Sequence, residues 1–172
     1  MKNILKKWFN KKEIHYHLEI LRFVLASIFL WSFFDKLFGL GYSTQIGKAW
    51  VDGVSPTSGF LSFATEGKYF APLFQSMSGS PLVDWLFMLG LLGIGTSLLL
   101  GIGTKVAGYS GALLMTLLWF ASLPPEHHPF IDEHVVYFVI FVTFIHKKIG
   151  YWYGLRGTWQ QTELVKKYPV LE

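Results

Sequence analysis

Two nearly consecutive apolar runs constrain this chain more than any other feature. Residues 82–102 read LVDWLFMLGLLGIGTSLLLGI, and residues 104–123 read TKVAGYSGALLMTLLWFASL. Each carries a single charged side chain in its first turn, Asp84 and Lys105. A helix of about 20 mostly apolar residues is what crosses the hydrocarbon layer of a bilayer. Two further runs approach that length, 18–40 (LEILRFVLASIFLWSFFDKLFGL) and 131–150 (IDEHVVYFVIFVTFIHKKIG), with charge confined to their ends. The expectation is an all-α membrane protein, a single integral domain of four transmembrane helices. A soluble helical core is the competing reading. Against it, only 15% of the residues are charged, where soluble domains carry roughly 25%, and a small soluble domain has a large surface to cover with polar groups.

The basic residues lie near the ends of the apolar runs and are not clustered on a face, which excludes nucleic acid as a partner. The absence of cysteine excludes disulfides, thiol chemistry and cysteine-ligated metal within this chain. The first run begins near residue 18 and lacks a small-residue cleavage site, so it is expected to remain as a membrane helix. Loops rich in Lys and Arg stay cytoplasmic. An inside amino terminus places Lys2, Lys6, Lys7, Lys11, Lys12, Arg22, Lys105, Lys147, Lys148, Arg156, Lys166 and Lys167 on the inner side, and leaves Lys36, Lys48 and Lys68 outside. Both termini are therefore expected in the cytoplasm.

That orientation puts EHHPFIDEH (126–134), Asp35, Lys36, Asp84 and the loop 41–81 on the outer side. The loop is rich in Gly, Ser and Pro but also holds Trp50, Phe60, Phe63, Tyr69, Phe70 and Phe74. So many aromatics predict short interfacial helices capping the bundle. Small residues let membrane helices approach closely. Thr104, Gly108, Ala112 and Thr116 in the third run, with Gly90, Gly93 and Ser97 in the second, predict a close antiparallel hairpin between the two.

The first and fourth runs are short of apolar length. The uncharged stretch between His134 and His146 covers roughly 17–20 Å as a helix, against about 30 Å of hydrocarbon. Phe23–Phe34, bounded by Arg22 and by Asp35–Lys36, falls short in the same way. Charge carried into the outer rim is costly unless paired or hydrated. Lys36 or Asp35 is therefore expected to neutralise members of the Asp132, Glu133 and His134 group across a small water-accessible pocket. Successive helical residues point about 100° apart, so these three do not share one direction, and Asp132 or His134 is the better pocket residue. His134, Tyr137, Phe138 and Phe141 form a stripe suited either to a flat ring or to plain core packing. His127 and His128 sit in a proline-rich turn, and histidine is a side chain suited to shuttling protons or binding a metal. Their spacing is not that of a zinc site, and no metal is expected. His17 and His146 near the inner ends are the pair a haem would need, but His17 precedes the membrane, where a water-exposed histidine is common, and no haem is expected.

The run SPTSGFLSFATEGKYFAPLFQSMSGSPLVDWLFMLGLLGIGTSLLLGIGTKVAGYSGALLM resembles the DoxX superfamily, and more narrowly the DoxD-like large subunit of thiosulfate:quinone oxidoreductase. PFIDEHVVY with the exit GYWYGLRGTW, and LRFVLASIFLWSFFDKLFG, are similar to that family's fourth and first helices. The resemblance covers roughly residues 18–160 and implies a four-helix membrane bundle in a bacterial or archaeal plasma membrane. It implies oxidation of thiosulfate, or a related sulfur compound, with a membrane quinone as electron acceptor. The partners would be a small subunit or a second copy of the chain. The positions carried over are Arg22, Lys36, Pro129, Asp132, Glu133 and His134; Arg156 lies in an exit that departs from the family pattern. The candidate catalytic group is Asp132, Glu133 and His134, and the candidate substrate- or quinone-binding group is Arg22, Asp35, Lys36, Asp84, His128 and Tyr137. Two other classes fit the residues: a non-enzymatic accessory or scaffold subunit, and a small-solute or proton carrier, for which the second and third runs offer little polar lining.

Overall fold

The computed structural model describes residues 11–147 and 149–172. Lys2, Lys6, Lys7 and Lys148, which contribute to the expected orientation, lie outside the described residues, as do the side chains of Lys11 and Lys12. Among the described residues the chain is helical throughout, with no strand. Four helices dominate: α1 (Lys11–Phe38), α2 (Pro81–Leu100), α3 (Thr104–Ser122) and α4 (Glu133–His146). Two of them, α1 over His15–Phe38 and α2, are long and apolar enough to cross a membrane; α4 is apolar but shorter, at 14 residues.

Local chemistry sets the ends. Gly39 takes φ 64° and stops α1, its N–H closing on the Asp35 carbonyl at 2.8 Å. Gly101, at φ 71°, does the same for α2, a left-handed conformation that costs glycine little. Proline opens α2, where its missing N–H is no loss. Asp132 caps α4, its carboxylate accepting from the N–H groups of His134 and Val135. The expected boundaries thus shift: among the described residues the first helix already runs from residue 11, and the fourth shrinks from 131–150 to 133–146.

The pairing of helices differs from the expected hairpin. Gly95 of α2 faces α1, where an added Cβ would lie 2.8 Å from Leu30. Gly108 and Gly111 of α3 face α4, with an added Cβ 2.7 Å from Ile145 and 2.3 Å from the Phe141 ring. The small residues therefore seat α1 on α2 and α4 on α3. At Gly90 and Gly93 an added Cβ would meet nothing within 4 Å. The reason is shape: the bulky Leu30, Phe141 and Ile145 need the notches, and they come from the outer helices of the sequence.

Leu25, Phe29, Met88, Leu91, Ile94, Leu98, Met115, Phe141 and Phe144 fill the core. Phe29 and Phe141 meet edge to face at 5.4 Å and join α1 to α4. Outside lies a belt of exposed apolar side chains, including Ile28, Trp31, Leu86, Leu89, Leu113, Leu117, Val136 and Val139. The loop between α1 and α2 folds into a 3-10 turn (Trp50–Asp52), a π-turn (Phe60–Ala64) and a short helix (Ala71–Gln75). Leu61 and Phe74 form a second small core with Ala121 of α3. The Tyr69 N–H donates to the Leu123 carbonyl at 2.7 Å and Lys68 Nζ to that of Pro124 at 3.0 Å, so the aromatic loop caps the bundle as expected.

Candidate functional site

The start of α4 holds a carboxylate–imidazole pair. Asp132 Oδ1 accepts the His134 N–H at 3.0 Å, and Oδ2 lies 2.8 Å from His134 Nδ1. A carboxylate only accepts, so the ring donates from Nδ1 and Nε2 is left as the working nitrogen. Nε2 has no hydrogen-bond partner among the described residues, and the ring is mostly shielded. Tyr137 follows one turn later, half-buried against the main core. Phe141 is fully buried, so the stripe of aromatics divides: its inner member packs the core, and Phe138 turns outward. Glu133 is exposed and forms no ion pair among the described residues. His128 braces the preceding turn, its Nδ1 accepting from the N–H groups of Phe130 at 3.1 Å and Ile131 at 3.0 Å.

The expected pairing of α1 with this group does not form. None of the ion pairs among the described residues joins Asp35 or Lys36 to Asp132, Glu133 or His134. Asp35 is fully buried, but its partners are local: the N–H groups of Tyr42 and Thr44, at 3.2 and 2.8 Å, and the Ser43 hydroxyl at 2.7 Å. Three donors from the adjoining loop satisfy the carboxylate without a counter-ion. Lys36 is half-buried and stands beside Asp35.

Asp84 occupies a separate place. It is 6% exposed, and its Oδ1 accepts from the hydroxyls of Ser55 at 2.8 Å and Thr57 at 2.6 Å. It lines a cleft of about 250 Å³ together with Trp50, Ser55, Pro81 and Trp85. The indoles of Trp50 and Trp85 meet at 4.7 Å.

Arg22 lies at the opposite end of the bundle from all of these. Thirteen residues of helix, about 20 Å, separate it from Asp35. It is fully buried. Its Nε donates to Glu19 at 2.7 Å, one terminal nitrogen to the carbonyls of Leu98 and Leu99, and the other to that of Tyr153 at 2.9 Å. Glu19 also accepts the Gly150 N–H at 2.6 Å. Arg22 is therefore a clamp that holds the end of α2 and the chain leaving α4, not a ligand for an outer substrate. Arg156 makes a second clamp, to Thr104 at 2.9 Å, the Ile149 carbonyl at 3.1 Å and Glu172 at 3.4 Å. Burial lowers this guanidinium from its ordinary value, while Glu172, Tyr151 and Glu19 pull it back up. Between the clamps Gly101, Gly150 and Gly154 stack backbone on backbone; an added Cβ on Gly101 would lie 2.9 Å from the Gly150 Cα.

Glu19 and the three glycines escape sequence reasoning, though the Glu19–Arg22 spacing of three residues is a readable same-face pair. The structure thus brings Asp132 and His134 together, places Tyr137 one turn away, and distributes Asp35, Asp84, His128 and Arg22 to four other environments. No protein-family model matches the chain, and no curated protein or solved structure is significantly similar to it.

Proposed function

We propose that this chain is a DoxX-like, multi-pass subunit of a bacterial or archaeal plasma membrane, crossing it four times with both termini in the cytoplasm, and that it serves quinone-linked oxidation of a sulfur compound at the outer face. The observation that carries the chemistry is the Asp132–His134 pair at the outer mouth of α4. Joining two thiosulfates into tetrathionate releases two electrons, and the quinone that accepts them takes up two protons to become the quinol. A membrane site for that step needs a proton-handling group beside apolar walls. Asp132 fixes the ring through Nδ1, which leaves His134 Nε2 to hand on the proton. Tyr137 and the outward Phe138 provide the apolar wall. From Asp35 to Glu133 the outer side carries seven carboxylates against three lysines. Such a face repels a dianion, which assigns delivery of the sulfur compound to a partner subunit.

Purified full-length protein, alone and with its native membrane partners, is mixed with a short-chain quinone and thiosulfate or sulfite, and quinone reduction is followed by absorbance. Removing a general acid–base group costs about 10²–10⁴-fold. His134→Gln should lower the rate by at least about 100-fold with little change in KM, and Asp132→Asn, which removes the acceptor that orients the ring, should lower it as well. Full activity in His134→Gln, or no reduction in any preparation, rejects the reading. A second reading, a scaffold for other membrane proteins, is favoured by the vacant notches at Gly90 and Gly93 on α2. It predicts that Gly90→Leu abolishes function while Asp132→Asn and Glu133→Gln preserve it.

A further inference from the structure

The cleft at Asp84 has a chemistry that the quinone reading leaves unused. Asp84 is 6% exposed, yet it lines the cleft. Both hydroxyl bonds, from Ser55 and Thr57, go to Oδ1. Oδ2 has no hydrogen-bond partner among the described residues. No fully buried side-chain oxygen or nitrogen among them lacks a partner, so Oδ2 opens into the cleft. Ser55 and Thr57 donate to the carboxylate and hold it in place. Trp50 and Trp85 stand edge to face at 4.7 Å on the wall of the same cleft. A carboxylate oxygen that shares a cleft with indole rings is an arrangement that attracts an organic cation: the charge is met by Oδ2 and the methyl or methylene groups by the rings. The volume, about 250 Å³, admits a group of headgroup size. The surrounding field has the same sign: the segments 35–84 and 126–133 together carry seven carboxylates against three lysines.

We propose that this cleft is a binding site for an alkylammonium group. Two sources share that chemistry, the amine headgroup of a phospholipid in the outer leaflet and a free small amine. The proposal stands independently of the quinone reading, because none of its residues belongs to the Asp132–His134 pair.

The test uses full-length protein in non-ionic detergent. Tryptophan fluorescence is read while tetramethylammonium chloride is added, with sodium chloride at equal ionic strength as the reference. A saturable change with tetramethylammonium alone is expected. Trp85→Leu, on the exposed rim, should weaken it at least 5-fold, Asp84→Asn at least 10-fold, and Trp31→Phe should leave it unchanged. If Asp84→Asn fails to fold, Trp85→Leu decides. Equal responses to sodium, a response that never saturates, or unchanged binding in Trp85→Leu would overturn the proposal. Nanodiscs then separate the sources. If a lipid headgroup fills the cleft, phosphatidylethanolamine bilayers shift the tetramethylammonium midpoint upward at least 3-fold relative to phosphatidylglycerol bilayers. Equal midpoints assign the site to a free amine.

Discussion

Arg22→Met lowers the stability of the purified protein by about 3–5 kcal/mol, the cost of removing one partner from a buried ion pair. The size follows from what is left behind. Glu19, 3% exposed, loses its Nε donor and keeps only the Gly150 N–H. The carbonyls of Leu98, Leu99 and Tyr153 lose theirs as well. For a chain of this length a loss of that size moves the thermal midpoint by roughly 10 °C. A buried carboxylate without its cation is the larger part of the penalty, so the double variant Glu19→Gln, Arg22→Met should recover about half of the lost stability. Thermal unfolding of the four proteins in the cycle, in one detergent, gives the coupling directly. Equal midpoints for Arg22→Met and the parent would mean that the clamp does not hold this end of the bundle.

Gly101→Ala should be as damaging without touching a charge. Two penalties coincide there. The residue sits at φ 71°, where a side chain costs about 1–2 kcal/mol. Its Cβ would also stand 2.9 Å from the Gly150 Cα and 3.2 Å from the Gly154 Cα. Those are backbone atoms, which cannot rotate aside, and overpacking of this kind costs about 1–3 kcal/mol. The total is about 2–5 kcal/mol, with the chain after α4 released from α2. Gly93→Ala, on the same helix but facing open space, should change the midpoint little in detergent. Faster proteolysis after residue 150 in Gly101→Ala, but not in Gly93→Ala, would locate the damage at the glycine stack.

The helices were legible because apolar length is a one-dimensional property, and Gly39 and Gly101 stop them for reasons visible in the residue itself. Partner choice was not. Gly108 and Ala112 announce a notch, but the side chains that fill it, Phe141 and Ile145, come from a helix more than thirty residues later. The Gly101–Gly150–Gly154 stack joins positions with no shared periodicity. At the candidate site the error was one of donor type. The shortage of apolar length in the first and fourth runs pointed to Asp35, Asp132 and Glu133 as acids entering the fold; Asp35 is buried, whereas Glu133 is exposed. Asp35 or Lys36 was expected to meet the Asp132 group across the bundle, whereas Asp35 and Asp132 are met by nearby N–H, hydroxyl and imidazole groups. Asp35 with Ser43 and Thr44, and Asp132 with His134, are neighbours in sequence that turn and capping chemistry makes readable. Arg22 misled through its resemblance to a family position: its own surroundings, Glu19 one turn before it, pointed inward.

The alternation of the four long helices across a bilayer is the claim on which the functional reading rests, and the chain's lack of cysteine allows a clean measurement of it. Single cysteines at Glu66, Lys105, His127 and Glu163 probe the successive connections. With a membrane-impermeant maleimide on intact cells, Glu66→Cys and His127→Cys should label at once, and Lys105→Cys and Glu163→Cys only after permeabilisation. Labelling of all four in intact cells, or of none until the membrane is opened, would contradict the alternation and leave the Asp132–His134 pair without an outer face to serve.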